Sequence, residues 1–270
     1  MPFDALHQPY SLTDEHIAFY RENQFVRLKN VFPAELLHFY RDHIARKVRE
    51  LNTQHLPIEQ RDTYGRAFLQ IMNLWRADER VREFVFSRRL AGIATQLMGT
   101  TGVRLYHDQA LFKEAGGGNT PWHADQYYWP LANDHTVTAW VPLQPTPLDM
   151  GPLEFSAKSH RLHGGRDLKI SDESERLISE KLRLNHFEQI VEGFDLGEVS
   201  FHSGWIFHRA GANRTDQMRQ VMTVIYMDEH MRLKQPENPN QQNDWETWCP
   251  GARVGEVIDT ALNPVLYSTK

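Results

Sequence analysis

Two hydrophobic periods divide the chain. Up to about residue 100, apolar residues recur at helical spacing. Leu36, Leu37, Tyr40 and Ile44 share one face of a helix that Pro33 opens and that runs to about Leu51. An earlier helix is expected from Leu12, capped by Ser11 with Asp14 as a variant capping box, and carrying Ile17, Phe19 and Tyr20. Residues 82–98 read as one or two further helices ending at Gly99, and Phe25-Val26-Arg27-Leu28 as a short strand. From residue 102 the period becomes two. Val103, Leu105, Leu111 and Phe112 lie in strand-like runs, as do 137–141, 151–155, 198–202, 205–208 and 219–227, with Gly and Pro between them. Many short strands without alternating helices argue for an antiparallel barrel or double-sheet jelly roll and against a doubly wound parallel sheet. The charged stretch 167–184, with Ser171 as a helix cap, reads as an insertion between strands, a solvated surface helix in preference to a lid.

The chemistry concentrates in two places. In Pro121-Trp122-His123-Ala124-Asp125, a His and an Asp two residues apart on an extended chain point to one side and can meet one metal ion. A third ligand from a distant strand would complete two His and one carboxylate, the facial set that leaves positions open on iron(II). The second place is 201–219, read as strand, tight turn and strand. His208 before the turn and Arg219 after it are expected to face one cavity, His208 completing the metal set and Arg219 clamping a carboxylate in bidentate fashion. His202 is a rival third ligand, but only His208 has an Arg at the matching offset, so His202 is read as a structural, hydrogen-bonded His. His107 and Asp108 are adjacent and diverge on a strand, which makes them structural. His135, His160 and His163 fall in loops, and Arg214 falls in the turn. Tyr127 and Trp129, flanking the first motif, are candidate substrate contacts.

These pieces resemble the phytanoyl-CoA dioxygenase family of iron(II)- and 2-oxoglutarate-dependent oxygenases. The resemblance runs from about Leu12 to Tyr267. It is carried by Trp122-His123-Ala124-Asp125, Ala139-Trp140-Val141-Pro142-Leu143, Gly151-Pro152-Leu153 with Ser159-His160, the segment from His208 to Arg219, Cys249-Pro250-Gly251, and Asn263-Pro264-Val265-Leu266-Tyr267. It implies a mostly β fold, a double-stranded β-helix (jelly-roll, cupin-like) core with flanking helices. It implies iron ligands His123, Asp125 and His208, a 2-oxoglutarate arginine at Arg219, and co-substrate contacts at Trp140, Gln109 and Gln70. Gln70 aligns with a basic contact of some members and is neutral here. Ala210 stands where the family often has a hydroxyl, so one hydrogen bond to the co-substrate is missing or supplied elsewhere.

The domain expectation is one dioxygenase domain over 1–270: a helical packing segment to residue 100, a jelly-roll core at 101–230 with a charged insertion near 163–187, and a C-terminal extension at 231–270. The expected reaction couples dioxygen and 2-oxoglutarate to oxidation of a C–H bond in a small-molecule substrate, with release of succinate and carbon dioxide. Asp125 excludes the halogenase variant, which needs that carboxylate removed. A zinc hydrolase or isomerase on a cupin-like barrel would suit the triad but gives Arg219 no task, and a non-catalytic binding barrel would have no use for either. Composition narrows the partners. A net charge of −5 without a basic block leaves no footprint for nucleic acid, and no apolar run approaches the ~20 residues of a membrane span. The start lacks the pattern of a secretory leader, and one cysteine, Cys249, permits no intrachain disulfide, so a cytoplasmic setting is the default expectation. The same lack of a basic patch leaves no seat for a coenzyme A phosphate and points to a small acid or metabolite as substrate.

Overall fold

The computed structural model describes residues 2–270. Its first elements are α1 (Asp14–Asn23), β1 (Phe25–Leu28), α2 (Ala34–Leu51), α3 (Thr63–Ala67), β2 (Leu69–Met72), α4 (Glu79–Val85) and α5 (Arg88–Met98). Helix α1 starts two residues later than expected. Its cap is Thr13, whose hydroxyl accepts the His16 amide while the His16 ring accepts the Thr13 amide. Ser11 has no such partner three residues on, and Thr13 does. Pro33 caps α2 as expected, and α5 ends on Gly99 in the left-handed region.

The β-rich part comprises β3 (Gly102–Lys113), β4 (Thr120–His123), β5 (Thr136–Pro142), β6 (Leu153–Ser156), β7 (Gln189–Val191), β8 (Val199–Ser203), β9 (His208–Ala210), β10 (Arg219–Asp228) and β11 (Val265–Ser268). A seven-stranded antiparallel sheet runs in the order β1-β8-β5-β10-β3-β11, with β2 also pairing β3. A four-stranded sheet runs β4-β9-β6-β7. These two antiparallel sheets, with helices packed on the larger one, form the jelly-roll architecture expected from the strand pattern.

The larger sheet is buried on both faces, so its strands are apolar or polar according to which layer each residue meets. On β10, Met222, Val224 and Tyr226 join the core formed with α2, α4 and α5. Val137, Ala139 and Val141 of β5 and Val199 and Phe201 of β8 join the same core. The intervening residues face the smaller sheet. A bulge between Ile225 and Tyr226 skips Tyr106 on β3 and sends it into a second cluster with Trp129, Met227 and Cys249.

Three expectations are corrected. His208 and Arg219 do not lie on one hairpin: β9 belongs to the smaller sheet and β10 to the larger, so 211–218 crosses between sheets. A jelly roll sends consecutive strands to opposite layers, and the same turn chemistry serves a crossover as well as a hairpin. Residues 205–207 are turn, and the strand begins only at His208. The insertion does form a Ser171-capped helix, α6 (Asp172–Leu184), but it is not merely solvated. Ile178 and Leu182 pack with Trp122 and Phe207, and Glu175 accepts the Trp122 amide at 2.9 Å and bonds Arg209 at 2.7 Å. In the C-terminal part, α7 (Pro239–Trp248) was not anticipated from the sequence, although Asn238 before Pro239 is a strong helix start.

Gly151 tests how tightly the two layers are joined. Its φ is +71°, and a Cβ there would lie 2.2 Å from the Gly211 carbonyl oxygen. Gly151→Ala should destabilise the protein by about 2–4 kcal/mol. Gly116→Ala, also at positive φ but with nothing within 4 Å, should cost only about 1–2 kcal/mol. Urea midpoints of the two variants check the difference; equal losses would show that the contact with Gly211 is easily relieved.

Candidate metal centre and its cavity

His123 ends β4 and His208 begins β9, and the two are register partners across that strand pair. Their ring centroids are 4.2 Å apart. Asp125 follows in a 3-10 turn (Asp125–Tyr128) and is not on a strand, yet its Oδ1 lies 3.4 Å from His123 Nε2 and 3.7 Å from His208 Nε2. The three donor atoms all fall within 4.8 Å of one another. His123 Nδ1 donates to the Pro121 carbonyl at 2.7 Å and His208 Nδ1 to the Ile206 carbonyl at 3.2 Å, so in each ring Nε2 carries the free lone pair. Burial, then the crowding of His123, holds His208 well below the usual imidazole pKa, in its neutral form. Burial works against charge on Asp125, and a proton on the facing His208, His123 or His202 ring outweighs it, which keeps the carboxyl well below its ordinary value. Two imidazole nitrogens and a carboxylate oxygen converging on one point are a donor set for a divalent transition metal with open positions.

The other carboxylate oxygen faces the larger sheet. Asp125 Oδ2 lies 3.4 Å from Thr138 Oγ1 and 3.4 Å from His202 Nε2, and Thr138 and His202 are themselves register partners on β5 and β8. His202 is only 2% exposed, and neither of its ring nitrogens has a hydrogen bond. The reading of His202 as a hydrogen-bonded structural residue is therefore corrected: it lines the cavity beside the triad, with its ring 4.5 Å from that of His208.

A cavity of about 320 Å³ opens beside these residues, and His123, Asp125, His208, Arg219, Trp140, Gln109 and Gln70 all line it. Arg219 is 1% exposed. One Nη donates to the Gly151 carbonyl, Nε has no partner, and the guanidinium sits 5.5 Å from the centre of the Trp140 ring. Burial alone pulls its pKa down to about 9. Its register partner Lys113 is equally buried, clasping the Gly118 and Gly211 carbonyls and the Thr120 hydroxyl. Among the described residues no carboxylate pairs with either side chain. Gln70 and Gln109 are joined side chain to side chain at 2.9 Å, and the Tyr64 hydroxyl donates to Gln70 at 2.7 Å. Thr120, the register partner of Ala210, also lines the cavity, so a hydroxyl does stand beside the position where Ala210 lacks one.

The remaining candidates separate cleanly. Asp108 is structural as expected, accepting the Leu74 and Trp75 amides. His107 is not, because it lines the cavity with Nδ1 unbonded. Trp129 lines the cavity too, whereas Tyr127 does not: its carbonyl and hydroxyl hold Asn238, Asn240 and Gln241 at the start of α7. Arg214 is exposed on the crossover. Sequence reasoning missed the contribution of α7, which brings Asn240, Asn243, Asp244 and Trp248 to the cavity.

The chain belongs to the phytanoyl-CoA dioxygenase (PhyH) family, whose model matches residues 20–221. Its fold is that of several solved enzymes. The non-heme alpha-ketoglutarate-dependent carbocyclase SnoK from nogalamycin biosynthesis is 21% identical, with 96% of this chain and 99% of that one covered at a TM-score of 0.78. The epimerase SnoN, solved with Fe3+, alpha-ketoglutarate and nogalamycin RO, is 22% identical, with 94% and 98% covered at 0.78. EctD from S. alaskensis, solved with 2-oxoglutarate and 5-hydroxyectoine, is 18% identical, with 97% and 91% covered at 0.68. No curated protein matches the sequence significantly. Among the described residues no helix is long and apolar enough to cross a membrane.

Lys113 generates a prediction of its own. Burial, then the Arg219 charge, lowers its pKa to about 6. The unfolded chain therefore holds that proton to higher pH than the folded chain does, and this part of the stability rises with pH above about 6 until the unfolded amine also titrates. Lys113→Met should flatten that rise. Urea midpoints between about pH 6.5 and 9 measure it, and an unchanged slope in the variant would place the pH dependence elsewhere.

Proposed function

We propose that the protein is an iron(II)- and 2-oxoglutarate-dependent dioxygenase that oxidises a C–H bond of a small organic substrate. The observation that carries this reading is the pairing of the His123–Asp125–His208 donor set with a buried, carboxylate-free Arg219 in one cavity. Iron(II) and 2-oxoglutarate, when bound, supply the oxidising chemistry, in which dioxygen is divided between succinate formation and the substrate. The chain's own residues hold and shield that chemistry. His123 and His208 offer Nε2 because their Nδ1 protons are committed to carbonyls. Asp125 offers Oδ1, while the Thr138 hydroxyl donates to its other oxygen and His202 stands 3.4 Å from it. Arg219 receives the far carboxylate of the co-substrate, for which its planar fork is shaped, with Trp140 as the wall beneath it. Gln109, Gln70 and Thr120 add polar contacts along the same wall. Leu111, Leu153 and Phe68 make the surround apolar and exclude water.

Anaerobic titration with iron(II) and 2-oxoglutarate, followed by the metal-to-ligand charge-transfer absorption, tests each assignment. Ala at His123, Asp125 or His208 should abolish the band with the fold intact by circular dichroism. His202→Ala should keep the band but weaken iron binding about 10–100-fold, the usual effect of removing a residue that orients a ligand. An active, normally metallated variant at His208 together with a dead one at His202 would reverse the assignment.

Arg219→Ala should lose on the order of 2–5 kcal/mol of 2-oxoglutarate affinity, and Arg219→Lys less, with iron affinity nearly constant. Arg214→Ala should match wild type. Arg219→Met should bind no 2-oxoglutarate yet melt no lower than the ligand-free wild type, since an apolar side chain removes an uncompensated buried charge. A large loss in Arg214→Ala with none in Arg219→Ala would move the co-substrate to another part of the cavity.

A further inference from the structure

The cavity continues from the metal site to α7, and that end has a different chemistry. Asp244 and Trp248 of α7 line it together with Tyr64, Tyr128 and Trp129. Asn243, also lining, is exposed, so this is where the cavity meets solvent. Asp244 is tied to the fold by one hydrogen bond, from the buried Tyr106 hydroxyl to Oδ2 at 2.9 Å. Among the described residues no basic side chain pairs with it. Burial raises its carboxyl to about 7, opposed only by that Tyr106 bond. His107 is no counter-ion for it, because burial holds that ring near pKa 3 and therefore neutral. Arg209 is already engaged by Glu154 and Glu175.

Charge balance then singles Asp244 out. Iron(II), a 2-oxoglutarate dianion, Asp125 and Arg219 together carry no net charge. A loaded metal end leaves Asp244, whose carboxyl is raised to about 7, as the acid without a counter-charge, in a cavity also lined by Tyr64, Tyr128, Trp129 and Trp248. A carboxylate and aromatic rings lining one cavity each attract a cation. A substrate acid would meet like charge there, and a coenzyme A phosphate would meet no basic group. The expectation of a small acid from the sequence finds no support at this end of the cavity.

We infer that the primary substrate is a small organic amine whose protonated nitrogen is seated on Asp244 between Tyr128, Trp129 and Trp248. The oxidised carbon lies on the body of the molecule, towards the triad. This deepens the dioxygenase reading and rests on it for the reaction, though not for the binding.

The test uses matched amines, alcohols and carboxylates on two skeletons: phenethylamine, 2-phenylethanol and 3-phenylpropanoate, and hexylamine, hexanol and heptanoate. Binding is measured by calorimetry on the anaerobic protein loaded with iron(II) and 2-oxoglutarate, and again on the metal-free protein. At least one amine should bind on the order of tenfold more tightly than its alcohol and carboxylate. Asp244→Asn, which keeps an oxygen for the Tyr106 hydroxyl, should erase that preference while leaving the 2-oxoglutarate charge-transfer titration unchanged. Carboxylates binding as well as amines, neither amine binding at millimolar concentration, or a preference that survives Asp244→Asn would each overturn the proposal. Failure of the dioxygenase reading would show separately, as the lack of a charge-transfer band in the wild type.

Discussion

On β10, Met222, Val224 and Tyr226 pack into the helical layer, and Arg219, Thr223 and Ile225 turn to the cavity. That alternation is the constraint on which the site depends. A strand shows successive residues to opposite faces, so a strand buried on both faces needs a core residue and a site residue in strict turn. The neighbours obey the same parity. Thr138 and Trp140 of β5 face inward between Val137, Ala139 and Val141 of the core, and His202 of β8 faces inward next to Phe201 of the core. A shift of one residue in any of these strands would bury Val or Phe in the cavity and drive a His or Arg into the helical layer, so the hydrophobic core on one side fixes the register of the polar groups on the other. The metal set is assembled the same way. One cross-strand pair from the smaller sheet, His123 and His208, faces one from the larger, Thr138 and His202, and Asp125 bridges them with one oxygen to each.

This placement has a cost. Arg219 and Lys113 are opposite each other on adjacent strands, both withdrawn from water, and Arg219 touches only a carbonyl and an aromatic face. Burying the Arg219 charge without a counter-charge, and stripping Lys113 of its proton near neutral pH, both oppose folding. The large apolar core made by α2, α4, α5 and the outer face of the sheet offsets both. A protein selected for stability alone would carry an apolar residue at 219. That it carries an arginine, on a wall shared with Gln109 and the triad, argues that an anion is the expected occupant of this end.

Much of this was legible in the sequence because it rests on spacing and residue type. The change from helical to twofold period marked where the sheets begin. His-x-Asp marked the first two candidate donors, and the interval from His208 to Arg219 marked the other two groups that line the cavity, even though the connection between them was taken for a hairpin. That error was harmless because a crossover, like a hairpin, can return a strand to the same cavity. Parity alone would have found more. With Trp140 inward, Thr138 must be inward; with Gln109 inward, so is His107. What local sequence could not reveal was the approach of distant chain. Nothing near residue 244 announces that α7 packs beside the 3-10 turn after Asp125. Nor does anything near residue 170 show that the Ile170 amide donates to the Tyr128 hydroxyl and that Ile170 itself lines the cavity.

The cavity thus divides into two parts built on different principles. The metal end is built mostly on paired strands, and backbone carbonyls hold His123, His208 and Arg219, with Asp125 alone on a 3-10 turn. The α7 end is held by one helix and by loops, through Tyr127, Asn238, Asn240 and Gln241. Rigid, strand-borne groups suit a reaction that needs fixed geometry at every turnover. Loop- and helix-borne groups can be exchanged without disturbing that geometry, because no sheet register passes through them. The proposed amine seat on Asp244 therefore lies on a part of the fold that carries no sheet register, separate from His123 on β4, His208 on β9 and Arg219 on β10.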